Sequence, residues 1–558
     1  MIEKSLRPIK RTLTSAHAIV ECMKIEGVKH VFCVPGESYL PIMDAIHDEP
    51  SIKLISARHE GGASFMAEGY AKSSGKPGVL MATRGVGGSN LTIGVHTAHQ
   101  DSTPMVVFLG QVHSQFRGRE GFQEVDLDQY FRHIAKWTVE IRDAKRVPEL
   151  VQRAFRVAQT GRPGPVVVSL PEDLLIKESV MAFGPPVRRP TPSPSSDEVG
   201  DVEKLLQSSE SPLIIAGGGV KASEAEGALK QFAEKYKIPV MASFRRHDVM
   251  PNDHPLYLGH LGLGTHKSIL ETVQQSDVIL AFGTRLSEVT TQDYSIITDE
   301  KKLVHVDIEY DSIGKIYQPD IGIVADLKEG LHALLSINLL SSWEDWAVTR
   351  RRVYENVTSL TNKDVDNHNF HTQIIQTLQA QLPKNAILTN DAGNFAGWLH
   401  TFFQFTERNT YVGPTSGAMG YGMPAALGTK LAHPHRTVLS LSGDGGFMMT
   451  MQEIETAVRY NIPIISIVFN NKMYGTIRMH QEMHYPFKPI GTELGSVPFT
   501  ELAQSIGANG YFVRTIKEFE LAIERAVKSD KPVVIEIESD PNQISVSSTI
   551  EEIRNQHK

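Results

Sequence analysis

Short apolar runs alternate with amphipathic stretches from one end of the chain to the other. HVFCV, GVLMAT, MVVFLG and PVVVSL are β-rich runs, and between them residues 60–72 and 148–158 carry apolar positions at helical spacing. Continuous apolar strands separated by helices predict a parallel sheet covered by helices. This first block runs to residue 183. The next stretch, 184–198, opens GPPVRRPTPSPSS, too rich in proline and serine for a helix and too polar for a core, and reads as a linker.

The pattern then resumes. PLIIAGGGV, IPVMASF, DVILAFGTRL and KLVHVDIE predict strands of a central α/β block over 199–340, with a helix over 224–235. A charged amphipathic segment and the polar run TNKDVDNHN make 341–365 a second linker, and a third α/β block fills 366–558. RAFRVAQTGRPGPVVVSLPED, closing the first block, lies well beside RAVKSDKPVVIEIESDP in the third. The pattern predicts a duplicated fold flanking a different middle domain, three consecutive doubly wound parallel-sheet domains in all.

Two strand ends carry candidate chemistry. LSLSGDGGFMMT is an apolar strand that stops at Gly443, Asp444, Gly445 and Gly446, before a helical pattern over 451–459. VFNNKMYG ends the strand predicted over 462–469 on Asn470 and Asn471. Their separation fits one strand–helix–strand unit, which brings Asp444 and Asn471 to the carboxyl edge of neighbouring parallel strands, where α/β sheets bind ligands. Mg2+ takes about six oxygen ligands and shares its shell with phosphates. Asp444 offers a carboxylate oxygen, Asn471 an amide oxygen and the tight turn the backbone carbonyl of Met473. The glycines after Asp444 let backbone N–H groups approach an anion at a helix start. GDGG and Asn-Asn are each ordinary turns alone; in this order and spacing they resemble the GDG…NN diphosphate and metal motif of thiamine diphosphate enzymes.

That resemblance demands one glutamate for the cofactor's aminopyrimidine ring, and SARHEGGASFMAEGYA supplies Glu60 at a helix start. A solvated acid at a helix start is the bland alternative. The resemblance further implies that Met419, in TSGAMGYGMPAALG, wedges between the cofactor's two rings, that Gly417 contacts the aminopyrimidine, and that Gly393 and Asn394, in LTNDAGNFAGW, reach the diphosphate. In this family the pyrimidine block of one subunit faces the diphosphate block of another, so a homodimer is the minimum and a homotetramer is expected.

Within the family, the chain is most like the acetolactate synthase catalytic (large) subunit group. TRGVGGSNLTIGVHTAHQDSTPM follows that group's Ser-Gly-Pro-Gly, Asn and Asp-Ser-x-Pro pattern, with Arg84-Gly85-Val86-Gly87 in the first place; GREGFQEVD sets Phe122 and Gln123 at active-site positions, and Lys136 matches another. Three positions depart. Val289 stands where the group has an arginine for the acceptor's carboxylate, although Arg285 matches an earlier one; His480 replaces an acceptor-selecting tryptophan; Glu37 replaces a glycine. Glu37 with His480 would favour protonation at the reacting carbon and aldehyde release; a capping acid is its structural alternative.

The expected activity is thiamine diphosphate- and Mg2+-dependent decarboxylation of a 2-oxo acid and ligation of the carbanion to a second carbonyl compound, with a non-ligating decarboxylase as the alternative. A non-catalytic binding or regulatory relative is disfavoured by the intact set Glu60, Asp444, Asn471 and Met419. FAD is left open by Ala216-Gly-Gly-Gly-Val220, and a regulatory subunit is left open too. An NAD-dependent dehydrogenase is disfavoured, because AGGGVKAS lacks the G-x-G-x-x-G spacing.

Composition changes little. The 558 residues, 41% hydrophobic and 22% charged, suffice for several cores, and a net charge of -8 without a basic block disfavours nucleic acid or an anionic membrane as partner. No apolar run near the ~20 residues of a membrane span and no secretory leader is read. Two cysteines, Cys22 and Cys33, exclude a disulfide framework and fit a reducing cytoplasm.

Overall fold

The computed structural model describes residues 9–339, 342–359 and 369–556. The first block contains β1 (Ile9–Thr14), β2 (His30–Cys33), β3 (Lys53–Ser56), β4 (Gly78–Thr83), β5 (Met105–Gln111), β6 (Trp137–Glu140), β7 (Pro165–Pro171) and β8 (Glu178–Phe183). Six of these form a parallel sheet in the order β3-β2-β4-β5-β7-β6, and β1 pairs with β8 as an antiparallel ribbon. Every residue of β5 and β7 is buried, which is why both read as unbroken apolar runs: helices cover both faces.

The middle block contains β9 (Pro212–Ala216), β10 (Val240–Ala242), β11 (Tyr257–His260), β12 (Val278–Phe282), β13 (Lys302–Asp307) and β14 (Ile321–Val324). Their order is β11-β10-β9-β12-β13-β14, all parallel. The third block contains β15 (Ile387–Asn390), β16 (Tyr411–Val412), β17 (Val438–Gly443), β18 (Ile465–Asn470), β19 (Asn509–Val513) and β20 (Val533–Glu538), in the order β16-β15-β17-β18-β20-β19. Counted from each block's first parallel strand, the outer sheets share one order, second-first-third-fourth-sixth-fifth, and the middle sheet differs. Its order is the one found in dinucleotide-binding Rossmann sheets.

Several boundaries move from the sequence expectation. β18 begins at Ile465 rather than 462, because Pro463 has no N–H for a ladder. The helix after β17 begins at Asp444 itself and is followed by a second, Glu453–Arg459. Residues 184–195 carry neither helix nor strand, and Ser195 closes them with a capping box onto Ser196–Gln207. Inside 341–365, Glu344–Thr358 is a helix whose Ala347 and Tyr354 sit in the middle block's core. Trp343 and Trp346 anchor its start by donating indole N–H bonds to the Ser209 and Pro212 carbonyls, at 3.0 and 3.1 Å. The rest of that expected linker, 360–365, lies outside the described residues, as do 340 and 341.

Contacts group the chain into two compact units: 1–190 with 416–435 and 450–464, and the remainder. In the first, the Glu60–Ser74 helix packs on Gly422–Ala432 at backbone distance. A Cβ on Gly69 would come 2.5 Å from the Ala425 carbonyl oxygen, and one on Gly428 would collide with the Met66 carbonyl. In the second, the buried Asp248 carboxylate pairs with Lys221 and accepts the Thr410 and Tyr411 N–H groups at 3.0 and 3.2 Å, which joins the middle sheet to the third.

Candidate functional site

Glu60 is the first residue of its helix, where the chain leaves β3. Backbone N–H groups left without partners at a helix start need acceptors, and two side chains provide them. His59 Nδ1 accepts the Gly61 N–H at 3.0 Å. Glu453, fully buried, accepts the N–H groups of Arg58 (3.1 and 3.2 Å) and His59 (3.0 Å) and the Thr456 hydroxyl (2.7 Å). Burial pushes the Glu453 carboxyl up, against the hydrogen bonds of these donors. Gly62 leaves room for that carboxylate, which a Cβ there would strike.

The Glu60 carboxylate, in a residue 8% exposed, is thereby aimed and held. Its Oε2 accepts Asn90 Nδ2 at 2.9 Å, and its Oε1 faces Gly87, where a Cβ would stand 3.2 Å away. One oxygen is thereby anchored, and the other, facing a glycine, stays open to accept a hydrogen bond from a protonated ring nitrogen. Asn90 belongs to the Arg84–Asp101 helix, which opens on Arg84 directly after β4.

The same helix start gathers three sequence-predicted residues. Arg84 lies 3.4 Å from Glu37 through Nη1 and donates to Glu172 at 2.9 Å through Nη2. Its guanidinium carbon is 6.0 Å from the centre of the Phe122 ring, and Phe122 is 72% exposed. The Gly85 N–H bonds the Gln123 carbonyl at 3.1 Å, and a Cβ on Gly85 would press Val125 at 2.6 Å, so the 121–125 loop docks on the helix through backbone. Glu37 and Phe122 thus stand beside one cation, and Gln123 is tied to the next residue of the helix through its carbonyl.

In the second unit, Gly443 of β17 pairs with Phe469 of β18, so Asp444 leaves its strand alongside the two asparagines. Asp444 is 5% exposed, and burial raises its carboxyl to about 6, opposed by hydrogen bonds from the N–H groups of Gly445, Lys472 and Asn471. The asparagines divide their work. Asn470 Nδ2 donates to buried Glu536 at 2.8 Å, which fixes the strand end, whereas Asn471 Oδ1 accepts only the local Met473 N–H at 3.2 Å among the bonds found for it. Lys472, at φ 56°, turns the chain. Its carbonyl is taken by the Leu494 N–H and that of Tyr474 by the Arg478 N–H, so of these three carbonyls the one these bonds leave unclaimed is Met473's. An ionisable oxygen, an amide oxygen and a carbonyl on one turn are hard donors of the kind Mg2+ takes.

The glycines after Asp444 have packing reasons of their own. A Cβ on Gly445 would lie 2.7 Å from the Tyr474 ring, and one on Gly446 3.0 Å from the Asp391 carboxylate. Gly393 and Asn394 follow β15. Asn394 spends its side chain on the Ile544 carbonyl (2.8 Å) and the Thr476 hydroxyl (2.9 Å), so its backbone is what remains for a ligand. Gly417, in the first unit, has φ 66° and open space on its Cβ side. Met419 stands half-buried on a turn before the Gly422–Ala432 helix. His480 is exposed on the Gly475–His484 helix, parallel to His484 at 6.2 Å; Glu37 belongs to the other compact unit.

Two further groups bear on ligands. The Ala216–Val220 loop is packed tight: Cβ atoms on Gly217 and Gly219 would run into Gly283, and one on Gly218 would stand 2.9 Å from Arg246 Nε. Neighbouring protein accounts for these glycines. His247, His260 and His400 bring ring nitrogens within 4.8 Å of one another. His247 stacks on His400 at 4.3 Å and 27°, however, and nearly parallel imidazoles cannot direct in-plane lone pairs at one ion. Burial holds all three below the usual imidazole range, His260 at about 4, so they pack as neutral rings.

Three family models match in succession: the N-terminal TPP binding domain of thiamine pyrophosphate enzymes over 13–130, their central domain over 199–334 and their C-terminal TPP binding domain over 391–537. The chain belongs to the thiamine pyrophosphate enzyme family. Relatives within the family agree along nearly the whole length. A probable acetolactate synthase large subunit of Methanocaldococcus jannaschii is 34% identical over 95% of this chain and 92% of its own. Acetolactate synthase large subunits of Lactococcus lactis (32%, over 95% and 93%) and Haemophilus influenzae (31%, over 96% and 96%) follow. This family member is accordingly an acetolactate synthase-like enzyme, and no described helix is long and apolar enough to cross a membrane.

Proposed function

We propose that the chain decarboxylates a 2-oxo acid of the pyruvate kind and joins the two-carbon product to a second carbonyl compound, with thiamine diphosphate and Mg2+ as cofactors. The observation that carries this reading is the pairing of Gly443 with Phe469 in adjacent parallel strands, from whose ends Asp444 and Asn471 follow. Thiamine diphosphate, when bound, supplies the electron sink that loss of CO2 from a 2-oxo acid requires.

The chain's own residues bind and orient. Asp444, Asn471 and the Met473 carbonyl hold Mg2+, with the backbone at Gly393, Asn394, Gly443, Gly445 and Gly446 toward the diphosphate. Glu60, aimed by Asn90 and the braced helix start, hydrogen-bonds the pyrimidine ring nitrogen, with Gly417 and Met419 against the rings. Glu37, on the exposed side of Arg84, is the group for moving a proton at the substrate carbon, and Phe122 and Gln123 border the substrate. His480 lines the approach. A homodimer is the minimum assembly and a homotetramer the expected one, in a cytoplasmic setting that suits two buried free thiols. The relatives' designation as large subunits raises a smaller companion for this chain as well. FAD is not part of the proposal.

Plain decarboxylation is the second reading, favoured by one observation, the carboxylate of Glu37 at a position where the acetolactate synthase group has glycine. Incubation with pyruvate separates the two. Acetolactate as the main product supports ligation, and acetaldehyde without acetolactate rejects it.

A further inference from the structure

Arg84 breaks three local rules at once. It is a non-glycine residue at φ 43°, in the left-handed region that residues with a side chain rarely adopt. It places a cation at the first position of an 18-residue helix, the end whose dipole favours anions, and the first turn holds no acid to offset it. Its residue is 8% exposed, and its Nε is buried without a hydrogen-bond partner among the described residues. Conflicts of this kind concentrate where a site is kept for a ligand.

Its two acidic neighbours are unequal. Glu172 meets Nη2 at 2.9 Å, a short charge-assisted bond that fixes one edge of the guanidinium. Glu37 reaches Nη1 only at 3.4 Å, with a side chain 69% exposed, at the limit of hydrogen bonding and screened by water. The Nη1 edge is therefore held by a weak, displaceable carboxylate. Position in the fold supplies the rest. Asn90, which holds Glu60, lies six residues further along the same helix, roughly 9 Å at 1.5 Å per residue.

We propose that Arg84 is the anchor for the carboxylate of the 2-oxo acid substrate, taken up at the Nη1 edge in exchange for Glu37, which the exchange frees to handle the proton at the substrate carbon. This rests on the reading of the site as a thiamine diphosphate carboligase for its substrate class, but not for its test. An incoming carboxylate gives this buried cation a closer counter-charge than Glu37 does, which offsets its place at the positive end of the helix. Exposed Phe122 stands at the edge of this place and gives the site its apolar wall.

The test compares wild type, Arg84→Gln, Arg84→Lys and Glu37→Gln, each full-length and loaded with thiamine diphosphate and Mg2+. Calorimetry with oxamate, an unreactive carboxylate isostere of pyruvate, is expected to give a Kd raised at least tenfold in Arg84→Gln, less in Arg84→Lys, and lowered severalfold in Glu37→Gln, where the competing charge is gone. In steady state, Arg84→Gln should raise KM for pyruvate and 2-oxobutyrate at least tenfold while leaving KM for benzaldehyde, an uncharged acceptor, within twofold. Equal oxamate affinity in wild type and Arg84→Gln, absence of oxamate binding to wild type, or a parallel rise of both KM values would overturn the assignment. If Arg84→Gln does not fold, unchanged oxamate affinity in Glu37→Gln overturns it. If wild type turns over no 2-oxo acid, the functional reading fails, and the oxamate comparison still decides for or against Arg84.

Discussion

Glu60 illustrates how a site residue is made from its neighbours. Its position at a helix start is written in RHEGGA, and a glutamate there is ordinarily solvated. Three partners that the sequence does not advertise convert it: Asn90 fixes one oxygen, Gly87 clears space at the other, and Glu453 ties down the backbone before it. Glu453 reaches Arg58 across 395 positions of chain, so no local pattern could have announced it. Glu60→Gln is expected to keep the cofactor bound while lowering kcat about 10²–10⁴-fold, the range of a lost acid–base group; wild-type kcat would remove Glu60 from the chemistry. Asn90→Ala should lower kcat about tenfold through a misaimed carboxylate, at a cost of about 1 kcal/mol for the lost hydrogen bond, with Glu60 still present; rescue by Asn90→Gln would separate aiming from folding. Asn470, half of the pair that draws the eye in VFNNKMYG, turns out to serve Glu536 and the sheet. Identical residue types in sequence thus meet different partners, Asn470 the buried Glu536 and Asn471 its own turn, and only the packing distinguishes them.

At the scale of elements, strands buried on both faces were legible because burial leaves no polar alternation to confuse them. Boundaries were less so. Asp444 begins its helix seven positions before the periodic pattern does, since GDGG has no apolar spacing and its glycines answer to Tyr474 and Asp391, which leave little room for a Cβ. The Glu344–Thr358 helix looked like a tether because most of its surface is charged, yet its few apolar residues enter the middle core. Close helix packing yields a direct stability prediction. Gly428→Ala puts a methyl group into the Met66 carbonyl and should cost about 1–3 kcal/mol, read as a lowered Tm; an unchanged Tm would contradict the packing. The C-terminal helix Ile550–Asn555 is clamped by Arg554, which bonds Glu482 at 2.7 and 2.8 Å, with Arg478 at 2.9 Å on the same carboxylate. Arg554, helped by the Phe487 N–H and Arg478, holds the Glu482 carboxyl down to about 2, against its burial. A carboxyl held low in the folded state contributes stability that is complete above its unfolded value near 4.5 and is lost as pH falls toward 2. Glu482→Gln should therefore be less stable than wild type by about 2 kcal/mol at pH 7, in denaturant titrations, with the gap closing between pH 4.5 and 2; a gap independent of pH would contradict the clamp.

For the molecule as a whole, the outer blocks repeat one strand order around a Rossmann-ordered middle sheet, and the repeat was foreshadowed by the likeness between RAFRVAQTGRPGPVVVSLPED and RAVKSDKPVVIEIESDP. Glu60, proposed for the pyrimidine ring, and Asp444 and Asn471, proposed for the metal, fall in different compact units of the chain. With composite sites shared between subunits, mixing the inactive variants Glu60→Gln and Asp444→Ala after subunit exchange should restore about a quarter of wild-type activity, because statistical pairing makes half the dimers mixed and one of each mixed dimer's two sites whole. The measurement that bears most directly on the central claim is calorimetric titration of the purified chain with thiamine diphosphate, with and without Mg2+. Saturable uptake of one cofactor per chain is expected with Mg2+, and loss of that uptake when EDTA is added or when Asp444 is replaced by alanine. Absence of uptake by wild type with Mg2+ present, or undiminished uptake by Asp444→Ala in EDTA, would contradict it.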